Sequence, residues 1–234
     1  MQNISNLGNV PISGTRDFAV TRIGGEKPQV KAERLRDILV RHALPNTSDA
    51  EVNRYRLRNI PNVLRGLFAI GVAKAVGAPT YYGVVSGVVT RRDGRVQDLG
   101  ILSCRVVTTT GVGFIVDAFQ NTVELENMKF HGFGTGGSAE ASGNTDLTTE
   151  LTTEYAVNST RPTGSTTEGA SANIYRTVGT LSPDATVAIT EHGIFDQAAT
   201  GGGVLLDRSL FSAINLISGD SLQITYDLTL TAGS

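Results

Sequence analysis

Hydrophobic positions along this chain recur first at helical spacing and then, from residue 81 onward, at a period of two. Over residues 31–44, Leu35, Ile38, Leu39 and His42 share one helical face while Arg34, Arg36, Asp37 and Arg41 take the other. That spacing predicts an amphipathic helix, ended by Pro45-Asn46. Ser48 through Glu51 reads as a capping box, the serine hydroxyl accepting from an orphan amide and the glutamate reaching back. It opens a helix carrying Val52, Tyr55 and Ile60, which Pro61 is expected to kink or to restart. Residues 62–76 are apolar nearly all round, broken by Gly66, Gly71, Arg65 and Lys74, with Gly77 placed to cap them. A helix of that kind is expected to be buried, in the core or between subunits.

The second pattern is that of strands. "YYGVVSGVVT" and "RVQDLGILSCRVVTT" flank Arg92-Asp93-Gly94, and Asp-Gly between apolar runs signals a hairpin. Residues 112–119 fit a short helix or a strand equally. A strand through Met128 and Phe130 enters a glycine run at 132–137, followed by a Ser/Thr/Gly segment over 138–170 that duplicates Leu-Thr-Thr-Glu. Threonine alternation there suits an exposed strand, an ordered loop or a flexible one. Strands are predicted at 172–180, 186–195, 204–214 and 221–231, separated by turns at 182–184, 201–203 and 218–220. In the last of them Leu222, Ile224, Tyr226, Leu228 and Leu230 alternate with Gln223, Thr225, Asp227 and Thr229, so one face is buried and one is wet.

Residues 1–29 are polar and aperiodic, and read as an extended N-terminal arm that a neighbour would have to order. The expected fold is mainly β within the α+β class: the arm, short helices, and then an antiparallel β-sandwich. The segments are 1–29 (arm), 30–78 (helical), 79–127 (a β-hairpin region packing on the helices) and 128–234 (the sandwich).

Composition sharpens this picture in three places. The formal net charge of −2 hides a split. Residues 1–105 hold 16 basic against 8 acidic residues, a balance of +8, whereas residues 106–234 hold 4 against 14, a balance of −10. Such a chain can dock head to tail on copies of itself or seat its basic half on an acidic surface, unless the basic residues merely solvate helices. The lone Cys104 excludes an intrachain disulfide and sits in an apolar strand pattern, as a small buried hydrophobe does. No basic-then-apolar leader opens the chain, and the longest apolar run, 67–73, is far below the roughly 18 residues of a spanning helix. A protein made in a reducing cytoplasm, with no membrane as partner, is therefore expected.

Candidate chemistry is sparse. Gly132-Phe133-Gly134-Thr135-Gly136-Gly137 matches the dinucleotide fingerprint in letters, but a Ser/Thr loop follows where a helix N-terminus is needed. Gly219-Asp220-Ser221-Leu222 spells an esterase nucleophile block, yet it sits in a predicted turn near the end with no histidine after it. His131 and the segment Glu191-His192 through Asp196 could supply metal ligands, although tighter spacing is usual and a hydrogen-bonded histidine accounts for them as well. Glu150 and Glu154 are an acid pair with nothing nearby to perturb them. Arg54, Arg56, Arg58 and Arg65 could touch phosphate, but spacing by two spreads them around a helix, and without Trp there is little for bases to stack on. Tyr81, Tyr82, Phe133 and Tyr155 are the aromatics that a carbohydrate-binding module would need exposed. No catalytic, cofactor or metal site and no nucleic acid as main partner are expected.

The segments "FIVDAFQN", "ENMKFHGFGTG", "LTTELTTEY", "EGASANIYRTVGT" and "TEHGIF…GGGVLLDRSLFS" resemble virion structural proteins of tailed bacteriophages and related prophages, over about residues 95–234. The resemblance implies a virion component with no family catalytic residues to carry over. Joined to the arm and the apolar helix, it leads to an expected non-enzymatic decoration (cement) protein on the capsid surface. Its partners would be the major capsid protein and itself, with a homo-oligomer expected and a trimer favoured. A neck or tail component, or a tail-fibre module binding host carbohydrate, is the alternative. Expected contacts are Val10, Ile12, Phe18 and Ile23 of the arm toward neighbours, and Leu64, Leu67, Phe68 and Ile70 toward the chain's own oligomer.

Overall fold

The carboxylate of Asp49, and not the hydroxyl of Ser48, starts the first described helix: Asp49 Oδ1 accepts from the amides of Glu51 (2.9 Å) and Val52 (3.2 Å). Glu51 does not reach back as a capping box requires, but turns toward Arg91 and Gln97. The computed structural model describes residues 48–77, 80–155 and 158–232. The expected arm with Val10, Ile12, Phe18 and Ile23, and the helix expected over 31–44 with His42, lie outside them.

Helix α1 (Ala50–Ala75) is a single 26-residue element that runs through Pro61. The proline neither ends nor restarts it: Pro61 stands on the exposed side of the helix, as does Leu57, whose carbonyl it leaves without an intrahelical donor. Gly77 at φ +68° closes the helix, as its position suggests. The inner face is Val52, Tyr55, Asn59, Val63, Gly66 and Ile70, spaced by three and four. Gly66 is required there: a Cβ would run into the backbone carbonyl of Cys104 on the strand beneath. Asn59, which sequence pattern passed over, pins the helix. Its Nδ2 donates to the Leu102 carbonyl (2.7 Å) and its Oδ1 accepts from the Ser212 amide (2.9 Å).

Among the described residues the chain is α+β, mainly antiparallel β. The strands are β1 (Thr80–Thr90), β2 (Val96–Val106), β3 (Phe130–Gly134), β4 (Thr167–Glu168), β5 (Ile174–Leu181), β6 (Val187–Phe195), β7 (Leu205–Leu216) and β8 (Ser221–Thr231). They form a five-stranded sheet in the order β2-β1-β8-β5-β4 and a three-stranded sheet in the order β3-β6-β7. The hairpin expected at Asp93-Gly94 joins β1 to β2, with Gly94 at φ +84°. β1 also pairs with β8 along its whole length, from Thr80↔Thr231 to Thr90↔Ser221, so one sheet crosses the expected segment boundary at 127/128. Residues 112–119 resolve to helix: α2 (Thr109–Phe119) is capped by Thr108, whose Oγ1 accepts from Gly111 and donates to the Leu205 carbonyl.

One apolar core takes side chains from both sheets. Val85, Val89, Leu102, Leu181, Leu222, Ile224 and Tyr226 come from the larger, and Phe133, Ile189, Ile194, Leu206 and Ile214 from the smaller. The Leu-Thr-Thr-Glu duplication is an ordered loop rather than an exposed strand. Leu147, Leu151 and Tyr155, four residues apart, are all buried, and the Tyr155 hydroxyl accepts from the Phe133 amide at 2.7 Å. The period of four repeats an anchor, each turn of loop returning one apolar side chain to the interior.

Candidate interaction surface

The outward side of α1 is apolar and open in the single chain, so of the two burials expected for residues 62–76 the core takes only the inner face. Leu57, Leu64, Phe68, Val72 and Val76 are exposed, Phe68 at 75%. At about 100° per residue, Leu57, Leu64, Phe68 and Val72 fall within about 80° of one another, opposite the Asn59–Gly66 face. The helix is thus apolar on two sides, one spent on β2 and β7 and one left open. Of the four residues expected to serve oligomer contact, Leu64 and Phe68 lie in this stripe. Leu67 is half-buried, and Ile70 belongs to the inner face, at 8% exposure, so it is not available to a neighbour.

A second open apolar surface was not foreseen. On α2, Val112, Val116 and Phe119 recur at helical spacing and are exposed, Phe119 at 84%. Beside them Phe114, Phe119, Leu125, Met128, Tyr175 and Leu230 line an apolar groove of about 580 Å³, bordered by Thr167 and Glu168 of the edge strand β4. The ambiguity of residues 112–119 concealed it, because only a helix puts those three residues on one side.

Several of the charged and polar groups in the segments that suggested chemistry are turned inward. Glu191 is fully buried and accepts from the amides of Gly136 (2.9 Å), Thr148 (3.0 Å) and Thr149 (2.8 Å) and from Arg208 Nη2 (2.7 Å). The amides of Gly136, Thr148 and Thr149 therefore form an anion cradle occupied by the chain's own carboxylate. Gly136 has no room for a Cβ beside Glu191. Arg161 is likewise interior, bidentate on Glu150 (2.5 and 2.9 Å) with its guanidinium 3.4 Å from the centroid of Phe195. Asp220 of the esterase-like tetrapeptide binds the amide of Arg92, the amide of Ile217 and Arg91 Nη1, which fixes the turn between β7 and β8. Glu154, expected to be unperturbed, is held below the usual carboxylate range, first by the Thr152 amide.

His131 and His192 do come together. His131 Nδ1 lies 3.0 Å from His192 Nε2, and His131 Nε2 lies 3.0 Å from Thr177 Oγ1 on the other sheet. Both are hydrogen-bonded histidines, and their partners are side chains. Donation from His192 Nε2 to His131 and from His131 Nε2 to Thr177 leaves no N–H unpaired, only the bare Nδ1 of His192. Both rings are fully buried; burial pushes His131 down to about 3, and burial followed by its neighbour's charge lowers His192. Among the described residues no group of three or more His, Cys, Asp or Glu side chains is arranged to hold a metal ion.

Arg56 is buried and bonds the Asp98 carbonyl (2.5 Å), whereas Arg54, Arg58 and Arg65 are exposed, so Arg56 shares no patch with the other three. Phe133 and Tyr155 are core residues; Tyr81 is exposed and Tyr82 half-buried. Cys104 is buried, its thiol raised to about 11 by burial. Among the described residues no helix is long and apolar enough to cross a membrane.

Fold and surface together define an antiparallel two-sheet α+β body that carries two helices with open apolar sides. No protein-family model, curated protein or solved structure matches the chain.

Proposed function

We propose that this chain is a non-enzymatic assembly protein, and specifically a virion component that decorates and stabilises a phage capsid. Its two sheets act as the layers of an antiparallel β-sandwich, and residues 1–29 act as an extended arm lying across neighbouring subunits. The observation that carries the assembly reading is the outer stripe of α1, which leaves Leu57, Leu64, Phe68, Val72 and Val76 open to solvent. Contiguous apolar surface of this kind marks a protein contact. The inward bonding of Glu191, Arg208, Arg161 and both described histidines supports a role by contact rather than turnover. The virion assignment rests on the resemblance of residues 95–234 to tailed-phage structural proteins.

The partners on this reading are the major capsid protein and further copies of the chain, with no cofactor, no membrane and no nucleic acid as main partner. Quantitative mass spectrometry of purified particles tests it. Hundreds of copies per particle are expected of a cement protein. A single ring's worth would move the protein to the neck or tail, and absence from infectious particles would remove the virion reading. The carbohydrate-binding alternative loses support from the burial of Phe133 and Tyr155, two of its four aromatics.

A further inference from the structure

The two open apolar faces carry opposite charge. Along one flank of the α1 stripe stand Arg54, Arg58 and Arg65, all exposed, and the only acid of that helix is Glu51 in its first turn. None of the three arginines makes an ion pair among the described residues. The α2 side is the reverse. Residues 109–128 contain no Lys or Arg, and Asp117, Glu124 and Glu126 are exposed there, with Glu168 on the far border of the groove. These acids also lack ion-pair partners among the described residues.

We propose that the α1 stripe of one copy seats in the α2 groove of the next, so that the chain assembles through a heterologous, head-to-tail contact. The inference deepens the assembly reading above and rests on it. Phe68 and Val72 supply the apolar knobs; Phe114, Phe119, Leu125 and Leu230 supply the walls. Arg58 and Arg65 then come against Glu124, Glu126 and Glu168. Pairing like with like is disfavoured by the same charges. Two α1 stripes would oppose three arginines with three arginines, and two α2 grooves would oppose acid with acid. Each copy donates one face and accepts on the other. The rotation between copies decides whether the array closes into a ring, a trimer among the possibilities, or runs on as an open chain.

Light scattering on the full chain tests the contact. Phe68→Asp removes the knob and Phe119→Asp spoils the groove; both sites are exposed, so circular dichroism and melting temperature should match the unsubstituted protein. Each variant alone is expected to fall to the mass of one chain. Mixed in equal amounts they are expected to form a species of twice that mass, since each keeps the face that the other lacks. Either variant keeping the full assembled mass, or a mixture that stays at one-chain mass, overturns the proposal. Phe119→Asp keeping its mass would point to a symmetric α1 pair, and Phe68→Asp keeping it to another segment of the chain covering the groove.

Charge reversal gives an independent arm. Arg58→Glu with Arg65→Glu should abolish assembly, and adding Glu124→Arg with Glu126→Arg in the same chain should restore it. Failure of restoration overturns the pairing. The outcome is separable from the function. A chain that stays monomeric in solution yet occurs in hundreds of copies per particle sinks this contact and leaves decoration standing. Assembly that follows the mixing rule, with the protein absent from particles, does the opposite.

Discussion

The sheets and the helices of this protein distribute polarity in opposite senses. In the sheets and their loops the ionisable groups Glu191, Arg208, Arg161, Asp207 and His131 are inside. On the helices the apolar groups Leu57, Phe68, Val72, Val116 and Phe119 are outside. An interior ion is tolerated only when its partners are fixed around it, so the sheet body has little freedom to rearrange. An exterior apolar stripe has no partner in the same chain and gains by finding one. The contrast separates a rigid frame from the adhesive elements mounted on it.

The largest expected effect breaks the frame at Glu191. Glu191→Ala strands the buried Arg208 guanidinium and orphans three amides, at Gly136, Thr148 and Thr149. Urea denaturation should show a loss of about 3–5 kcal/mol. The pair Arg176–Asp227 at 2.7 Å is the control on the body's surface, where Asp227→Ala should cost no more than about 1 kcal/mol. Equal losses at the two sites would mean that the interior bonding of Glu191 confers nothing special.

A second, slightly smaller effect is pH-dependent. Burial raises Asp207 to about 7, against a modest lowering by Ser209, and burial lowers His131 to about 3. A raised acid gives stability that is present below its unfolded value near 3.8 and lost as pH climbs through about 7. A depressed histidine does the reverse: its contribution is present above 6.5 and lost as pH falls toward about 3. Between roughly pH 4 and 6.5 the two slopes oppose each other, each at most about 1.4 kcal/mol per pH unit. Asp207→Asn removes one of them. Its stability relative to the unsubstituted protein should therefore climb with pH across that window, read as the difference in melting temperature. A flat difference would show Asp207 ionised in the native state.

Two glycines of α1 test the two sides of one helix. Gly66 faces the backbone of Cys104, and Gly71 has no atom within 4 Å of where a Cβ would stand. Gly66→Ala must push the helix away from β2 and should lose about 1–3 kcal/mol. Gly71→Ala gains helix propensity without a clash and should add about 0.5–1 kcal/mol. Loss at both would mean that the outer side is already covered.

These sites also show what the sequence could and could not disclose. Strand β8 was readable because Leu222, Ile224, Tyr226 and Leu228 alternate strictly, and the observed strand spans 221–231 as the pattern indicates. The β1–β2 hairpin was readable from Asp93-Gly94. Pattern failed where one residue serves two surroundings. Residues 62–76 read as buried in the core or between subunits, with no division between the two, because apolar content carries no label for which side a neighbour occupies. The outer stripe emerged only once β2 and β7 were seen to take the other face. Likewise the amides of Thr148 and Thr149 meet the carboxylate of Glu191 across more than forty positions, a separation at which local periodicity holds no information. The acid rim of α2 was legible as a charge imbalance in the second half of the chain, but not as a rim.

The smallest effect is the most discriminating. Phe68→Ser removes the second most exposed of the large apolar side chains on the two helices, behind Phe119. In dilute solution it should leave unfolding stability within about 0.5 kcal/mol, because a side chain that is open in the native state gains little from folding. Val63→Ala, little more than one turn earlier but on the inner face, should cost about 1–3 kcal/mol for its lost burial and cavity. The pair holds position nearly constant and varies the side that each residue faces; the helix propensity gained by alanine over valine works against the Val63→Ala loss and so cannot produce it. A Phe68→Ser loss as large as that of Val63→Ala, measured where the protein is a single chain, would mean that the stripe is covered intramolecularly. The division between frame and adhesive would then end at α2 alone.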